Sequence, residues 1–157
     1  MKRVKINAYH AGLVFQNGVY QHMLSEGKYW IWNKRVDVFE KQGAFAAPIS
    51  LNILLQDPEL ANALEVISVK DNELVLQFEN GILKTTLKAG EYAFWKSAAI
   101  NYNFIKVNTA ALDIPEALDT ALLQHPLIVS HLRTVSVESH EKAVFFIYRK
   151  ALVFWDD

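Results

Sequence analysis

The feature that most limits how this chain can fold is that it repeats itself without a gap. Residues 17–32 read NGVYQHMLSEGKYWIW, and 63 positions later residues 80–95 read NGILKTTLKAGEYAFW. Between 4–32 and 67–95, eight of 29 positions are identical: Leu13/Leu76, Phe15/Phe78, Asn17/Asn80, Gly18/Gly81, Leu24/Leu87, Gly27/Gly90, Tyr29/Tyr92 and Trp32/Trp95. Average composition would give about two, at a match rate of roughly 6 %. The identities fall where backbone geometry is demanding. Asn-Gly is the preferred pair for a type I′ hairpin turn, which needs positive φ at both central residues. A second shared glycine, in SEGK and KAGE, suggests another turn. Each copy therefore predicts strand, tight turn, strand, turn, strand.

A third copy follows at a different spacing. Residues 54–81 match 122–149 with nine identities in 28, LLQDPELANALEVISV aligning with LLQHPLIVSHLRTVSV. The offset grows from 63 to 68, so about five extra residues lie between Trp95 and Leu122, expected within TAALDIPEALDTA (109–121). The leading strands are VKINA, VISVK and TVSVE, and the hairpin strands GLVFQ, LVLQF and AVFFIY. The links carry a strand-like part (VDVF, YNFIKV) and a short helical part. In the first link Asp57 is placed to N-cap, Pro58 fits the first helical position and Glu59 suits the first turn. In the second, IPEALDTALLQ has helical spacing until His125-Pro126 interrupts it, because proline disfavours a helical residue before it. The third copy is shortened: RKALVFW stands where the second has GILKTTLKAGEYAFW. Arg149-Lys150 is poor chemistry for a turn at positive φ, so residues 143–155 are expected as a strained hairpin or one long apolar strand. The expected architecture is α+β, mostly β: three related β-hairpin/meander units joined by short helices in a single domain. Unit 1 covers about 1–53, unit 2 about 54–121, and the truncated unit 3 about 122–157.

Composition narrows the functional classes. About half of the 157 residues are apolar, enough for a real core, and a net charge of −1 offers no basic footprint for nucleic acid. With no cysteine, disulfides and thiolate metal sites are excluded and a reducing compartment fits. The start MKRVKINAYHAG has no continuous apolar run of a signal peptide, and runs such as AVFFIY are far shorter than the ~20 residues that span a bilayer.

The succession of a strand, VLQFENG, a leucine, KAGEYAFW and another strand resembles the start of the SPFH (band 7) domain of stomatin, prohibitin and slipin proteins. The whole chain is similar to the N-terminal region of bacterial slipin-family proteins, where such hairpin units precede the SPFH body. The residues that carry this are Leu76, Phe78, Asn80, Gly81, Leu87, Gly90, Tyr92 and Trp95, with VESHEKAVFF (137–146) opening the last unit. The sequence departs from the pattern in its shortened last hairpin, and it stops at Asp157 without an SPFH body or coiled-coil helix. The resemblance implies a non-enzymatic scaffold or accessory role, cytoplasmic and open to a position at the inner face of a membrane, rather than a transferable site.

Nothing in the sequence spells out a reaction. No pair among His10, His22, His125, His131 and His140 has the spacing of a helical zinc site, and Glu138-Ser139-His140-Glu141 is a weak ligand pattern more ordinary as surface. There is no phosphate loop or nucleophile elbow, and Asp156/Asp157 reads as solvated rather than catalytic. No catalytic residue, cofactor or metal is therefore assigned. The aromatics are more informative. In Tyr29-Trp30-Ile31-Trp32, alternation puts Trp30 and Trp32 on one strand face. Copy two has Ala93 where copy one has Trp30, so the fold does not require Trp30; it is the candidate contact residue, with Trp32, matched to Trp95, expected in the core. A sheet buried on both sides is the more ordinary explanation of such a strand. At the other end, AVFFIYRKALVFW lacks the residues that set up a covering return strand in the same way as in the other copies, where Asn-Gly does so, and an apolar edge is a template for a second chain. A homodimer is expected, with Val144, Phe146, Phe154 and Trp155 near the contact. The leading functional expectation is a slipin/SPFH-like accessory or scaffold domain acting through protein–protein contacts. The alternative is a small-ligand or peptide-binding module with a groove between repeat units, and no nucleic acid is expected as a partner.

Overall fold

The computed structural model describes residues 1–110, 118–131, 144–147 and 150–153. The chain is mostly β with a few short helices, as the repeat predicts. It forms two compact units, Met1–Ala117 and Leu118–Asp157.

The first compact unit holds both full repeats. Repeat one contains β1 (Lys2–Ile6), β2 (His10–Gln16), β3 (Val19–Leu24), β4 (Gly27–Ile31) and β5 (Arg35–Glu40). After the link helices α1 (Leu51–Leu54) and α2 (Pro58–Ala63), repeat two contains β6 (Leu64–Val69), β7 (Glu73–Glu79), β8 (Ile82–Leu87), β9 (Gly90–Trp95) and β10 (Tyr102–Asn108). The strand pairing is the same in both. The hairpin and the link strand form a three-stranded antiparallel sheet, β3-β2-β5 or β8-β7-β10, while the leading strand pairs with the aromatic strand, β1-β4 or β6-β9. The return strand thus hands the chain across to a second small sheet instead of continuing a meander.

Local chemistry explains why the copies agree. Asn17 and Gly18 have φ of 50° and 81°, and Asn80 and Gly81 have 52° and 81°, the left-handed pair that a type I′ turn demands. Even the irregularity recurs: the ladder slips between Val14 and Phe15 in β2 and between Gln77 and Phe78 in β7. The second shared glycine opens a strand. Gly27 and Gly90 have φ of 155° and 150°, and the rings of Tyr29 and Tyr92 lie against them. Each tyrosine hydroxyl then donates to a carbonyl four residues upstream, Ser25 at 3.1 Å and Lys88 at 3.0 Å. Glycine and tyrosine recur as a pair: the ring lies close against the glycine, so that a β-carbon at Gly27 would be tight against Tyr29 and one at Gly90 would touch Tyr92.

The main core lies where the repeats meet. Ala11, Leu13 and Phe15 from β2 pack with Met23, with Phe45, Leu54 and Leu60 of the link, and with Leu64, Ala93 and Trp95 of repeat two. As expected, Asp57 caps α2 through the Glu59 N–H, with Pro58 at the start of the helix. The pairing register also relocates the extra residues. Arg35 lies opposite Phe15 and Asn103 opposite Phe78, so the five-residue insertion falls between Trp95 and Asn103 and not in 109–121. β5 and β10 share no identities that would have anchored the alignment there.

In the second compact unit, α3 (Thr120–Leu123) ends before His125, and α4 (Pro126–Val129) starts at Pro126 with His125 accepting from the Leu127 N–H. β11 (Val144–Ile147) pairs antiparallel with β12 (Lys150–Val153), the hairpin of the two expected forms.

Candidate functional site

The two repeats differ most in what covers the aromatic strand. In repeat two, residues 43–45 of the link run antiparallel along the outer edge of β9, with Ala44 bridged to Phe94. The Phe45 N–H donates to the Ala93 carbonyl at 2.7 Å, and the Trp95 N–H donates to the Gly43 carbonyl at 3.0 Å. Phe45 meets Trp95 edge-on at 5.0 Å, and Leu54, Leu60 and Leu64 belong to the same cluster. Trp95 is left 1 % exposed. In repeat one the equivalent strand β4 has β1 as its one neighbour among the described residues. Its outward face is open, with Trp30 66 % and Trp32 76 % exposed.

The expectation for Trp30 as a surface residue therefore fits, and that for Trp32 as a core residue is corrected. The tryptophan is repeated, but the segment that buries it is not local to the repeat. Exposed tryptophans are uncommon on a surface with no use for them, and Trp is enriched at binding hot spots. Arg3, directly opposite Trp30 on β1, places its guanidinium 5.9 Å from the Trp30 ring. On the inward face Tyr29 and Ile31 pack against Ile6, Val14 and Leu24. β4 thus has one face in the core rather than both.

A groove lies beside this face. It encloses about 980 Å³, and its lining includes Met1–Lys5, Asn17, Gly18 and Asn33–Val36. Its cations are Lys2, Arg3, Lys5, Lys34 and Arg35, and no acidic side chain lines it. Arg35 is engaged, 3.0 Å from Asp37 and over the Phe15 ring at 4.8 Å. In repeat two the corresponding positions are Glu65, Val66, Ser68, Tyr102 and Asn103. There the longer β9–β10 loop closes on the hairpin turn, Asn80 and Asn101 exchanging two hydrogen bonds of 2.8 and 2.9 Å. Tyr102, in the place of Lys34, packs with Phe94 and Phe104.

The cleft between repeat one and the link offers less. It is lined by Tyr20, Gln21, His22, Ile53, Gln56, Asp57 and Pro58. Asp57 is already committed, taking the Tyr20 hydroxyl at 2.6 Å, the Met23 N–H at 2.8 Å and the Glu59 N–H at 3.0 Å. Burial pushes its carboxyl up, but the hydrogen bonds from Tyr20, Met23, Glu59 and Leu60 outweigh that and hold it below the ordinary carboxylate value. Burial and the Asp57 partner push the Tyr20 hydroxyl far above its usual range. This carboxylate is a structural tie between β3 and α2.

Among the described residues no three His, Asp or Glu side chains come together, and no helix is long and apolar enough to cross a membrane. For the C-terminal contact candidates, Val144 and Phe146 lie in β11, where the backbone pairing is described; Phe154, Trp155 and the 138–141 ligand pattern lie outside the described residues. The open β4 edge and the basic groove were both missed by reading the sequence. A usable signal was present: residues 1–43 carry seven Lys and Arg against three Asp and Glu, whereas 64–110 carry five against five. Comparisons with family models, with curated proteins and with solved structures found no match, so the informative comparison is internal, one repeat against the other.

Proposed function

We propose that this chain is a non-enzymatic interaction module, an accessory or scaffold domain of the slipin/SPFH kind, which takes a segment of a protein partner along the open edge of β4. One observation carries the reading. The same edge in repeat two is filled by an extended segment whose aromatic residue closes over Trp95, while in repeat one the edge and Trp32 are open. Strand addition is a recurrent mode of peptide recognition: main-chain bonds supply affinity, and side chains on alternate positions supply selectivity. Gly43-Ala44-Phe45 defines what fits, two small residues followed by an aromatic one. Self-association through residues 143–155 and a cytoplasmic location belong to the same proposal and rest on the sequence.

The test uses a synthetic peptide with the sequence of residues 40–47, EKQGAFAA, titrated into the full chain while tryptophan emission is followed. Burial of Trp30 and Trp32 shifts the emission to the blue, and Trp32→Ala removes the shift. The peptide with lysine in place of its phenylalanine has no effect. Unchanged emission at millimolar peptide would sink the reading. Light scattering of the intact chain and of Phe146→Lys tests self-association separately; a monomeric wild type at high concentration rejects it.

A further inference from the structure

We propose that the basic groove of repeat one is a second peptide site, taking an acidic segment in extended form along the edge of β1 opposite β4, which has no strand partner among the described residues. Five consecutive residues, Met1–Lys5, line it. A strand face would contribute alternate residues, so the wall is the strand edge, which offers backbone donors and acceptors. Their direction follows from repeat two. Ala93 turns its carbonyl toward Phe45 and away from β6, so its partner Val66 also turns away, and Ser68, two residues on, offers its carbonyl to the Lys106 ammonium. The equivalent residues of β1 are Arg3 and Lys5, whose backbone groups therefore face away from β4. Lys2, Arg3, Lys5 and Lys34 surround this edge with no ion pair among the described residues, the Arg35–Asp37 bridge being the one formed. Repeat two has the same strands with none of the five cations, so the fold does not need them. An unpaired edge calls for a peptide backbone and the cations call for carboxylates. Nucleic acids and lipid head groups answer the charge but not the edge.

The probe is a capped heptapeptide of alternating valine and glutamate, measured by titration calorimetry with the full chain at low and high salt. Binding is expected at low salt and falls at least tenfold at high salt. The variant K2E/K5E/K34E abolishes it. Lys34→Glu, in a turn outside the strand, lowers it several-fold with unchanged thermal stability. Lys5→Pro removes one edge N–H that β4 does not use and also weakens binding. Trp32→Ala leaves it intact, which separates this site from the β4 edge. The proposal is overturned if the peptide does not bind, if the charge-reversed variants bind as well as wild type, or if Lys5→Pro retains full affinity. It is likewise overturned if a single-stranded oligonucleotide or anionic vesicles bind the groove as tightly as the peptide.

Discussion

In the first repeat Trp32 stands in solvent, and in the second its counterpart Trp95 is almost wholly enclosed. The backbones that carry them share strand order, turn geometry and the position of a bulge. The difference comes from residues 43–45 and the α1–α2 link, which lie outside the segments matched between repeats one and two. Side-chain identity, even in a repeat with the same fold, does not fix environment; the neighbour that covers the strand does.

The comparison can be broken most forcefully at those two residues. Trp95→Ala should cost about 3–5 kcal/mol, as expected for emptying a large buried site. Trp32→Ala should change stability by less than about 0.5 kcal/mol, as for an exposed position. Urea denaturation of both variants decides it, and equal losses would mean that β4 is covered after all.

A smaller effect is expected where the links are capped. Asp57→Ala removes a helix cap and leaves the Tyr20 hydroxyl and the Met23 N–H without their acceptor, so about 2–3 kcal/mol should be lost. His125→Ala in the second link removes a cap alone and should cost roughly 0.5–1 kcal/mol. Because the Asp57 carboxyl is held below its unfolded value, its contribution is present above about pH 4 and disappears as pH falls through the lower folded value. Acid unfolding of the Asp57→Ala variant should therefore be flatter than that of wild type across that range.

The two hairpin turns sharpen the likeness rather than the difference. Gly18→Val and Gly81→Val should each cost on the order of 1–2 kcal/mol, because both positions hold φ at 81° while nothing crowds the added atoms. Thermal unfolding should find the two losses alike. A gap larger than about 1 kcal/mol between them would show that the turns are supported differently.

What could be read from the sequence was what is local. Asn-Gly sets its own turn, Asp57-Pro58-Glu59 starts its own helix, and Leu13, Phe15 and Leu24 announce a core by matching Leu76, Phe78 and Leu87. What could not be read depends on chain segments far away. The exposure of Trp32 follows from an empty edge. The basic groove borders the β4–β5 connection, which is five residues shorter than its counterpart, and the ladder slip at Val14 and Phe15 has no residue type to mark it. The glycine of SEGK reads as a turn residue, yet its meaning comes from the tyrosine two positions on.

The position of the main core has a further consequence. Ala11, Leu13 and Phe15 find their cover in the link, and so do Ala93 and Trp95. The period of the sequence and the unit of cooperative folding are therefore out of phase. A fragment cut at residue 43 would keep the small cluster of Ile6, Val14 and Leu24 but leave the main core open. A fragment spanning β2 to β9 would keep the joint while cutting into both repeats. Stability in such a chain belongs to its junctions, as in other repeat proteins where the interfaces hold together units that are weak alone. Adding or removing a repeat would change the number of joints without altering the interior of any one of them.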